Sequence, residues 1–203
     1  MHKVRRASLN AMVTSLISGA QCSVTGLGRN IISQTTEKHQ IKRSMRLCSN
    51  PHLQSEISTL YSHMARRLIG QQHQPIILVD WSDLDPRKPH FLLRASIAVD
   101  GRSLTVFEQI YPITQKDKPS VHKTFMTKLK SILPHTCKPI IVSDAGFRVP
   151  WFKLIESLGW DFVGRVRNKT MCKASNAQNN NWQLIKTLYQ YATALFDAEK
   201  RQF

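Results

Sequence analysis

Two aspartates, each directly after a short apolar run, are the residues of this chain whose type and placing could do chemistry. Asp80 follows Ile76–Val79, and Asp144 follows Pro139–Ser143. Carboxylate oxygens are the ligands that hard divalent cations prefer, and two such cations can activate the nucleophile and stabilise the leaving oxygen of a phosphoryl transfer. Converging carboxylates would therefore make a nuclease-type metal site, whereas an Asp that ends a strand for turn geometry alone would not.

The elements that must position these acids are predicted to be strands of one sheet. Both runs are short, rich in β-branched residues and bounded by turn residues, as buried strands are. If the two strands are parallel neighbours, the acids meet at the edge where ligands gather in open α/β sheets. The surrounding pattern predicts strands at 91–99 and 103–111 joined by a hairpin turn at Asp100-Gly101, helices at 119–133 and 150–158, and a last strand at 161–166.

Residues 1–70 are predicted to form helices instead. Three apolar stripes recur there at helical spacing, and each is expected to face a core. The first stripe consists of Leu9, Met12, Val13, Leu16 and Ile17, the second of Ile41, Met45 and Cys48, and the third of Leu53, Ile57, Leu60, Met64 and Leu68. The chain is thus expected to hold a small all-helical domain ahead of the sheet, with the polar segment 71–75 as a linker.

The second of these stripes shares its helix with a set of cations. Lys38, Lys42 and Arg46 recur at every fourth position, and Arg43 lies beside them. Like charges at this spacing destabilise an isolated helix by roughly 0.2–0.5 kcal/mol, and contact with a phosphate backbone would reverse that penalty. The pattern predicts a DNA-binding face, and a solvated basic face explains it equally well.

Charge and cysteine usage narrow the class of protein. The 203 residues carry 29 Lys and Arg against 13 Asp and Glu, and the net charge of +16 favours a polyanionic partner. Nucleic acid is the usual one, although ribosome-associated and membrane-surface proteins share this balance. The four cysteines form no C-x-x-C pair, which argues against a zinc or redox motif. No apolar stretch approaches the ~20 residues of a membrane-spanning helix.

Several short motifs, taken in order, resemble those of DDE transposases of the insertion-sequence-four family. Asp80 lies in Leu78-Val79-Asp80-Trp81-Ser82-Asp83, and Asp144 lies in Ile141-Val142-Ser143-Asp144-Ala145-Gly146-Phe147. The similarity covers nearly the whole chain and includes the segments Leu27-Gly28-Arg29-Asn30, Leu93-Arg94-Ala95-Ser96, Gly101-Arg102-Ser103, Val149-Pro150-Trp151 and Arg165-Val166-Arg167.

The resemblance implies an α/β fold, a reaction and partners. The fold is a ribonuclease-H-like mixed sheet with flanking helices, with 1–70 as a helical DNA-binding domain, 75–168 as the core and 169–203 as the start of an insertion. The reaction is metal-dependent DNA cleavage and strand transfer, in which Asp80 would bridge two Mg²⁺ or Mn²⁺ ions and Asp144 would bind one. The partners are double-stranded DNA with terminal inverted repeats and a second copy of the chain in a homodimer. The implied location of the protein is the nucleoid in a bacterial cytoplasm, with no membrane as a partner.

One part of the family's site is not found in the sequence. The third acid of the family is a Glu in a Tyr-x2-Arg-x3-Glu-x6-Lys helix, and neither Tyr189 nor Tyr191 has an Arg at the required position. The resemblance therefore implies a C-terminally truncated transposase fragment whose activity is lost. Two alternatives stay open: a non-catalytic DNA-binding remnant, and an independent ribonuclease-H-like nuclease whose third acid is Glu199 or Glu156.

Three more cations are expected to clamp phosphates near the acids. Arg165, Arg167 and Lys169 alternate along and beyond the last predicted strand, and period two would place them on one face. A solvated strand edge is the alternative. Asp83 is a second candidate beside Asp80, with an exposed loop acid as the simpler interpretation. Trp182 falls where family members carry an aromatic that stacks a flipped base, but the motifs assign it no role.

Overall fold

The computed structural model describes residues 1–84, 87, 89–167, 169–172 and 182–188. Its contacts divide the chain into two compact units, Met1–Met64 and Ala65–Phe203. The first unit is helical and is built from α1 (Lys3–Ile17), α2 (Val24–Arg29), α3 (Glu37–Cys48) and most of α4 (Pro51–Ile69). In the described part of the chain, no helix combines the length and the apolar character needed to cross a membrane.

The second unit contains the sheet and two helices that alternate with its later strands. Its elements are β1 (Ile76–Asp83), β2 (His90–Val99), β3 (Arg102–Pro112), α5 (Pro119–Ile132), β4 (Ile140–Ser143), α6 (Val149–Ser157) and β5 (Asp161–Gly164). A short antiparallel pair follows, formed by β6 (Met171–Cys172) and β7 (Gln183–Leu184). From β1 to β5 the predicted order of strands and helices is the observed one, with most ends differing by one or two residues, whereas the pair β6 and β7 was not predicted.

The five strands β1 to β5 form one mixed sheet with the order β3-β2-β1-β4-β5. β1 pairs with β2 and β2 with β3 in antiparallel fashion, while β4 lies parallel to both β1 and β5. The hairpin between β2 and β3 turns at Gly101, whose φ of 68° is open to glycine. A mixed sheet with helices packed against it, preceded by a helical segment, confirms the predicted fold class.

Helices α5 and α6 cover one face of the sheet. Phe125 of α5 packs on Phe107 of β3 with ring centroids 4.8 Å apart. Trp151 of α6 donates a hydrogen bond of 3.1 Å from its indole N–H to the hydroxyl of Ser143. Phe107 and Ser143 belong to one row across the sheet, which also contains Ala95 and Val79. Because side chains alternate along a strand, the next residue in each strand faces the opposite side.

The helical unit holds a small core of its own. Met12, Ile31 and Leu47 are buried together, and four partly buried side chains pack around them: Leu9, Ala11, Leu27 and Leu53. Gly28 of α2 touches the backbone of α3, since a Cβ there would lie 2.6 Å from the Cα of Ile41. That contact explains the glycine, because a side chain would force the two helices apart.

The predicted faces of α1 and α3 are wrong in part. The buried residues of α1 are Ser8, Met12 and Ser15, and those of α3 are Gln40, Ser44 and Leu47. Met45, expected to be buried, is 56% exposed, and Cys48 is also exposed. Three of these six buried residues are Ser, whose small side chains allow helices to approach closely, and apolar periodicity passes over them.

The stripe predicted for α4 is also only partly buried. Ile57 and Met64 are exposed, and the fully buried residues of α4 are Ala65 and Ile69. These two residues belong to the second unit. The helix therefore buries its last turn, where small and branched side chains stand four residues apart.

Candidate active site

The two aspartates lie on adjacent strands. β1 and β4 are parallel, and the last pair in their register joins Val79 to Ser143. Asp80 is the next residue of β1 and Asp144 is the first residue after β4, so the two stand side by side. Both are exposed. Because Val79 faces the helices, Asp80 faces the other side of the sheet, and the charge of the neighbouring Asp144 acts on it there.

Asp80 lies inside its strand and not at its end. β1 continues to Asp83, paired throughout with β2, and only the pairing with β4 stops at Val79. The prediction of an acid at a strand exit is therefore correct for Asp144 and wrong for Asp80. Asp83 is likewise a strand residue and not a loop acid. Because β4 ends before β1 does, the edge of β1 beyond Val79 is not paired with β4. Asp80 lies at the start of this unpaired edge, next to Asp144.

The surroundings of Asp80 disfavour the ionised form of its carboxyl group. Partial burial raises the pKa of its carboxyl, and the negative charge of Asp144 raises that pKa further. A hydrogen bond from the Trp81 backbone and the charge of Lys116 lower the pKa in part. A divalent cation between the two carboxylates would relieve both the burial cost and the repulsion. The donor set therefore fits a hard divalent metal ion.

Asp144 is fixed by its own turn. Its Oδ1 accepts a hydrogen bond of 2.9 Å from the backbone N–H of Gly146. Gly146 is small for a reason, because a Cβ there would lie 3.0 Å from that oxygen. One carboxylate oxygen of Asp144 is thereby oriented.

Two tryptophans hold the residues next to the acids from the helical side. The indole N–H of Trp81 donates to Nε2 of His122 at 3.3 Å, and the indole N–H of Trp151 holds Ser143. His122 is buried, and that burial lowers its pKa. A neutral imidazole is required here, because Nε2 can accept a hydrogen bond only without a proton.

Phe147 completes this layer. Its ring lies 4.5 Å from that of Trp151 and 5.4 Å from that of His122, measured between centroids. Trp81 and Phe147, which follow Asp80 and Asp144 in sequence, are therefore packing residues. The layer fixes the backbone of β1 and β4 where the carboxylates emerge.

The three cations after β5 converge, but not by strand alternation. β5 ends at Gly164, so Arg165, Arg167 and Lys169 do not continue the strand, which corrects the period-two prediction. They nevertheless line one cavity of about 440 Å³, together with Gly146 and Phe147 of the turn after Asp144. Arg165 is also anchored, since its backbone N–H donates to the carbonyl of Ser143 at 3.1 Å. The cavity thus joins basic residues to the turn that carries one of the acids.

The basic residues of α3 differ in exposure and contacts. Lys38 and Lys42 are exposed. Arg43 and Arg46 line a cavity of about 540 Å³ within the helical unit. The Nε of Arg43 donates to the hydroxyl of Ser8 at 3.0 Å. Arg43 therefore has a structural contact besides the phosphate contact predicted for it.

A third acidic ligand is not among the described residues. Within the described ranges, no three His, Cys, Asp or Glu side chains gather in a way that could hold a metal ion. Glu156 is exposed on α6, the helix that packs on the opposite face from the aspartates. Glu199 lies outside the described residues, as do Tyr189 and Tyr191. Trp182 is described and 65% exposed.

One charged pair beside the acids was not singled out from the sequence. Arg94 of β2 is the register partner of both Asp80 and Glu108 of β3. Its Nε binds Oε2 of Glu108 at 2.7 Å. The signal was present in the hairpin, whose two strands could be paired from the turn at Gly101, but a bulge in this pairing at Ala95/Ser96 shifts the register.

Comparison with known families bears on the second unit. A family model described as "Transposase DDE domain" matches residues 71–200, which is more than half of the chain. No curated protein and no solved structure matches the chain. The matched segment begins just before β1 and includes both aspartates, the aromatic layer and the basic cavity.

Proposed function

Because this chain belongs to the transposase DDE-domain family, we propose that it is a transposase fragment that binds the ends of an insertion element of the insertion-sequence-four type. It keeps Asp80 and Asp144 as acids of the family's catalytic site, and its own cleavage activity is lost. Double-stranded DNA with terminal inverted repeats is the proposed partner, bound by a homodimer at the bacterial nucleoid. The observation that carries the proposal is that each aspartate directly follows the last register pair, Val79 and Ser143, of the parallel strands β1 and β4.

Asp80 and Asp144 are the proposed ligands of Mg²⁺ or Mn²⁺. Such ions, when bound, polarise the scissile phosphate and favour the nucleophilic oxygen. The chain itself supplies the orientation of the carboxylates. The Gly146 N–H fixes Asp144, and the packing of Trp81 on His122 fixes the strand at Asp80.

The basic cavity is the proposed seat of the DNA backbone near the acids. Arg165, Arg167 and Lys169 converge on it from the segment after β5. Arg guanidinium groups bind phosphate oxygens in bidentate fashion, while Lys acts as a point charge. The N-terminal cations Lys38, Lys42, Arg43 and Arg46 are proposed to bind DNA separately, which would let the helical unit engage DNA without the sheet.

A second candidate function is DNA binding without catalysis. The observation that favours it is the pair of carboxylates, since the described residues bring no third acid to the site. The resemblance to DDE transposases implies that strand cleavage in this family uses three acids. Under this proposal the 203-residue chain keeps its DNA affinity and has lost its cleavage activity.

The purified 203-residue chain is expected to show no Mg²⁺- or Mn²⁺-dependent cleavage of duplex DNA. Two carboxylates leave the metals incompletely held, and the loss of catalytic electrostatics of this kind costs several orders of magnitude in rate. The assay is nicking of supercoiled plasmid, with Asp144→Ala as the matched variant. Cleavage that Asp144→Ala abolishes would contradict the expectation and favour the independent-nuclease alternative.

DNA binding is expected to depend on the basic face of α3. The double variant Lys42→Ala/Arg46→Ala should reduce the slope of log K against log salt by about 0.9 for each phosphate that the protein no longer neutralises. The measurement is a salt titration of duplex binding by the full chain. The control is Lys123→Ala/Lys153→Ala, which removes one cation each from α5 and α6. Equal slopes for the two double variants would show that the face on α3 is only solvated.

A further inference from the structure

A row of charged side chains crosses the sheet through the candidate metal ligands. Glu108 on β3 pairs with Arg94 on β2, Arg94 pairs with Asp80 on β1, and Asp144 stands beside Asp80 at the end of β4. Directly opposed residues on neighbouring strands point to the same face. Arg94 therefore lies one strand away from Asp80, roughly 4.8 Å in the hydrogen-bonding direction, on the face that carries both acids.

Arg94 is turned away from Asp80 by its other neighbour. Its Nε lies 2.7 Å from Oε2 of Glu108, and the two side chains are 44% and 31% exposed. Glu108 thus keeps a guanidinium from neutralising a metal ligand that lies directly beside it.

The ion pair of Arg94 and Glu108 is one in which a phosphate could replace the carboxylate. An ion pair with this exposure adds little to stability, because water competes with it. A guanidinium binds phosphate at least as well as carboxylate, through the same parallel N–H donors. A DNA strand whose scissile phosphate lies at the acids would bring a neighbouring phosphate within reach of Arg94.

We propose that Arg94 binds a backbone phosphate next to the scissile one, and that Glu108 pairs with Arg94 in the free protein until a DNA phosphate replaces it. This inference rests on the proposed function, since it assumes that DNA lies along the acids. Binding exchanges the carboxylate of Glu108 for a phosphate on the same guanidinium. Glu108 is then a competitor of DNA, and its removal should tighten binding only while Arg94 is present.

The test is a double-mutant cycle on duplex DNA affinity, measured by fluorescence anisotropy with a labelled duplex and the full chain. Every protein carries Asp80→Asn, which removes the carboxylate that could capture a freed Arg94. The variants are Arg94→Ala, Glu108→Gln and their combination. Glu156→Gln removes an exposed charge from α6, and Arg102→Ala removes an exposed arginine from the far end of β3, so both serve as matched controls.

Arg94→Ala is expected to weaken binding about three- to tenfold and to reduce the salt slope by about 0.9, and Arg102→Ala should do neither. Glu108→Gln is expected to tighten binding about threefold more than Glu156→Gln does, and this excess should vanish in the Arg94→Ala background.

Two results would overturn the inference alone. An Arg94→Ala affinity equal to that of Arg102→Ala would remove the phosphate contact. An excess tightening by Glu108→Gln that persists without Arg94 would show that only general charge matters. DNA binding with either result leaves the proposed function standing. Failure of the parent protein to bind DNA at all would contradict the proposed function together with this inference.

Discussion

Trp151→Ala is expected to lower the free energy of unfolding of the second unit by about 3–5 kcal/mol. The side chain is only 2% exposed and packs on Phe147 and His122, so its loss leaves a cavity beside the sheet. Its indole N–H also satisfies the buried hydroxyl of Ser143. Urea unfolding followed by circular dichroism measures the change.

Two controls separate packing from hydrogen bonding at Trp151. Trp151→Phe keeps most of the ring and loses the N–H, and about 1–2 kcal/mol is expected for it. Trp182→Ala removes an exposed indole, and a change within about 0.5 kcal/mol is expected. A loss below about 1 kcal/mol for Trp151→Ala would contradict the claim that α6 locks the strand before Asp144.

Mg²⁺ is expected to stabilise the protein, and Asp80→Asn or Asp144→Asn to abolish that effect. For a two-carboxylate site with a Kd of about 1 mM, about 10 mM Mg²⁺ adds about 1.4 kcal/mol to the free energy of unfolding. Thermal unfolding at neutral pH, with and without Mg²⁺, measures it. Glu156→Gln is the matched control and should retain the full effect.

Without metal, the ionised carboxylate of Asp80 is expected to lower the free energy of unfolding. The pKa of Asp80 is raised in the folded protein, so the folded state binds this proton more tightly than the unfolded state does. Ionisation of Asp80 therefore lowers stability as pH rises through the carboxyl range, and at neutral pH the cost is fully present. Asp80→Asn should then be neutral or slightly stabilising in EDTA, whereas a clear destabilisation would show that Asp80 has a structural role.

The sheet could be predicted because its signals are local and mutually consistent. Short β-branched runs, the Asp100-Gly101 turn and the helix at 119–133 each point to one element, and their order leaves few topologies. The proximity of Asp80 and Asp144 then follows from the pairing of β1 with β4. Their role in metal binding stays a prediction, since the fold places side chains but does not show a ligand.

The helical faces were predicted less well for a physical reason. In α1 and α3 the buried positions include Ser8, Ser15, Gln40 and Ser44, which apolar periodicity passes over. The hydroxyl of Ser15 donates to the carbonyl of Leu27 at 2.8 Å, so a polar contact takes the place of apolar packing. Helices that approach closely need small side chains at some contacts, and the spacing of apolar residues does not report side-chain size.

The end of β5 and the Arg94–Glu108 pair depend on partners far along the chain. Residues 165–167 alternate as a strand would, yet they leave the sheet after the last pairing of Ser143 with Gly164. Arg94 meets Glu108 only because the bulge at Ala95/Ser96 lies between this pair and the hairpin turn. A one-residue difference in that register would turn Glu108 to the helical face.

The most direct test of the central claim, that Asp80 and Asp144 form one metal site, is a Mn²⁺ titration of the full chain followed by electron paramagnetic resonance of the free ion. We expect saturable binding by the unaltered protein with a Kd of about 0.1–1 mM, and at least a roughly tenfold weaker affinity for Asp80→Asn and for Asp144→Asn alike. Glu156→Gln should bind as the unaltered protein does. Binding that survives either Asp→Asn substitution unchanged, or an unaltered protein that leaves all Mn²⁺ free, would contradict the claim.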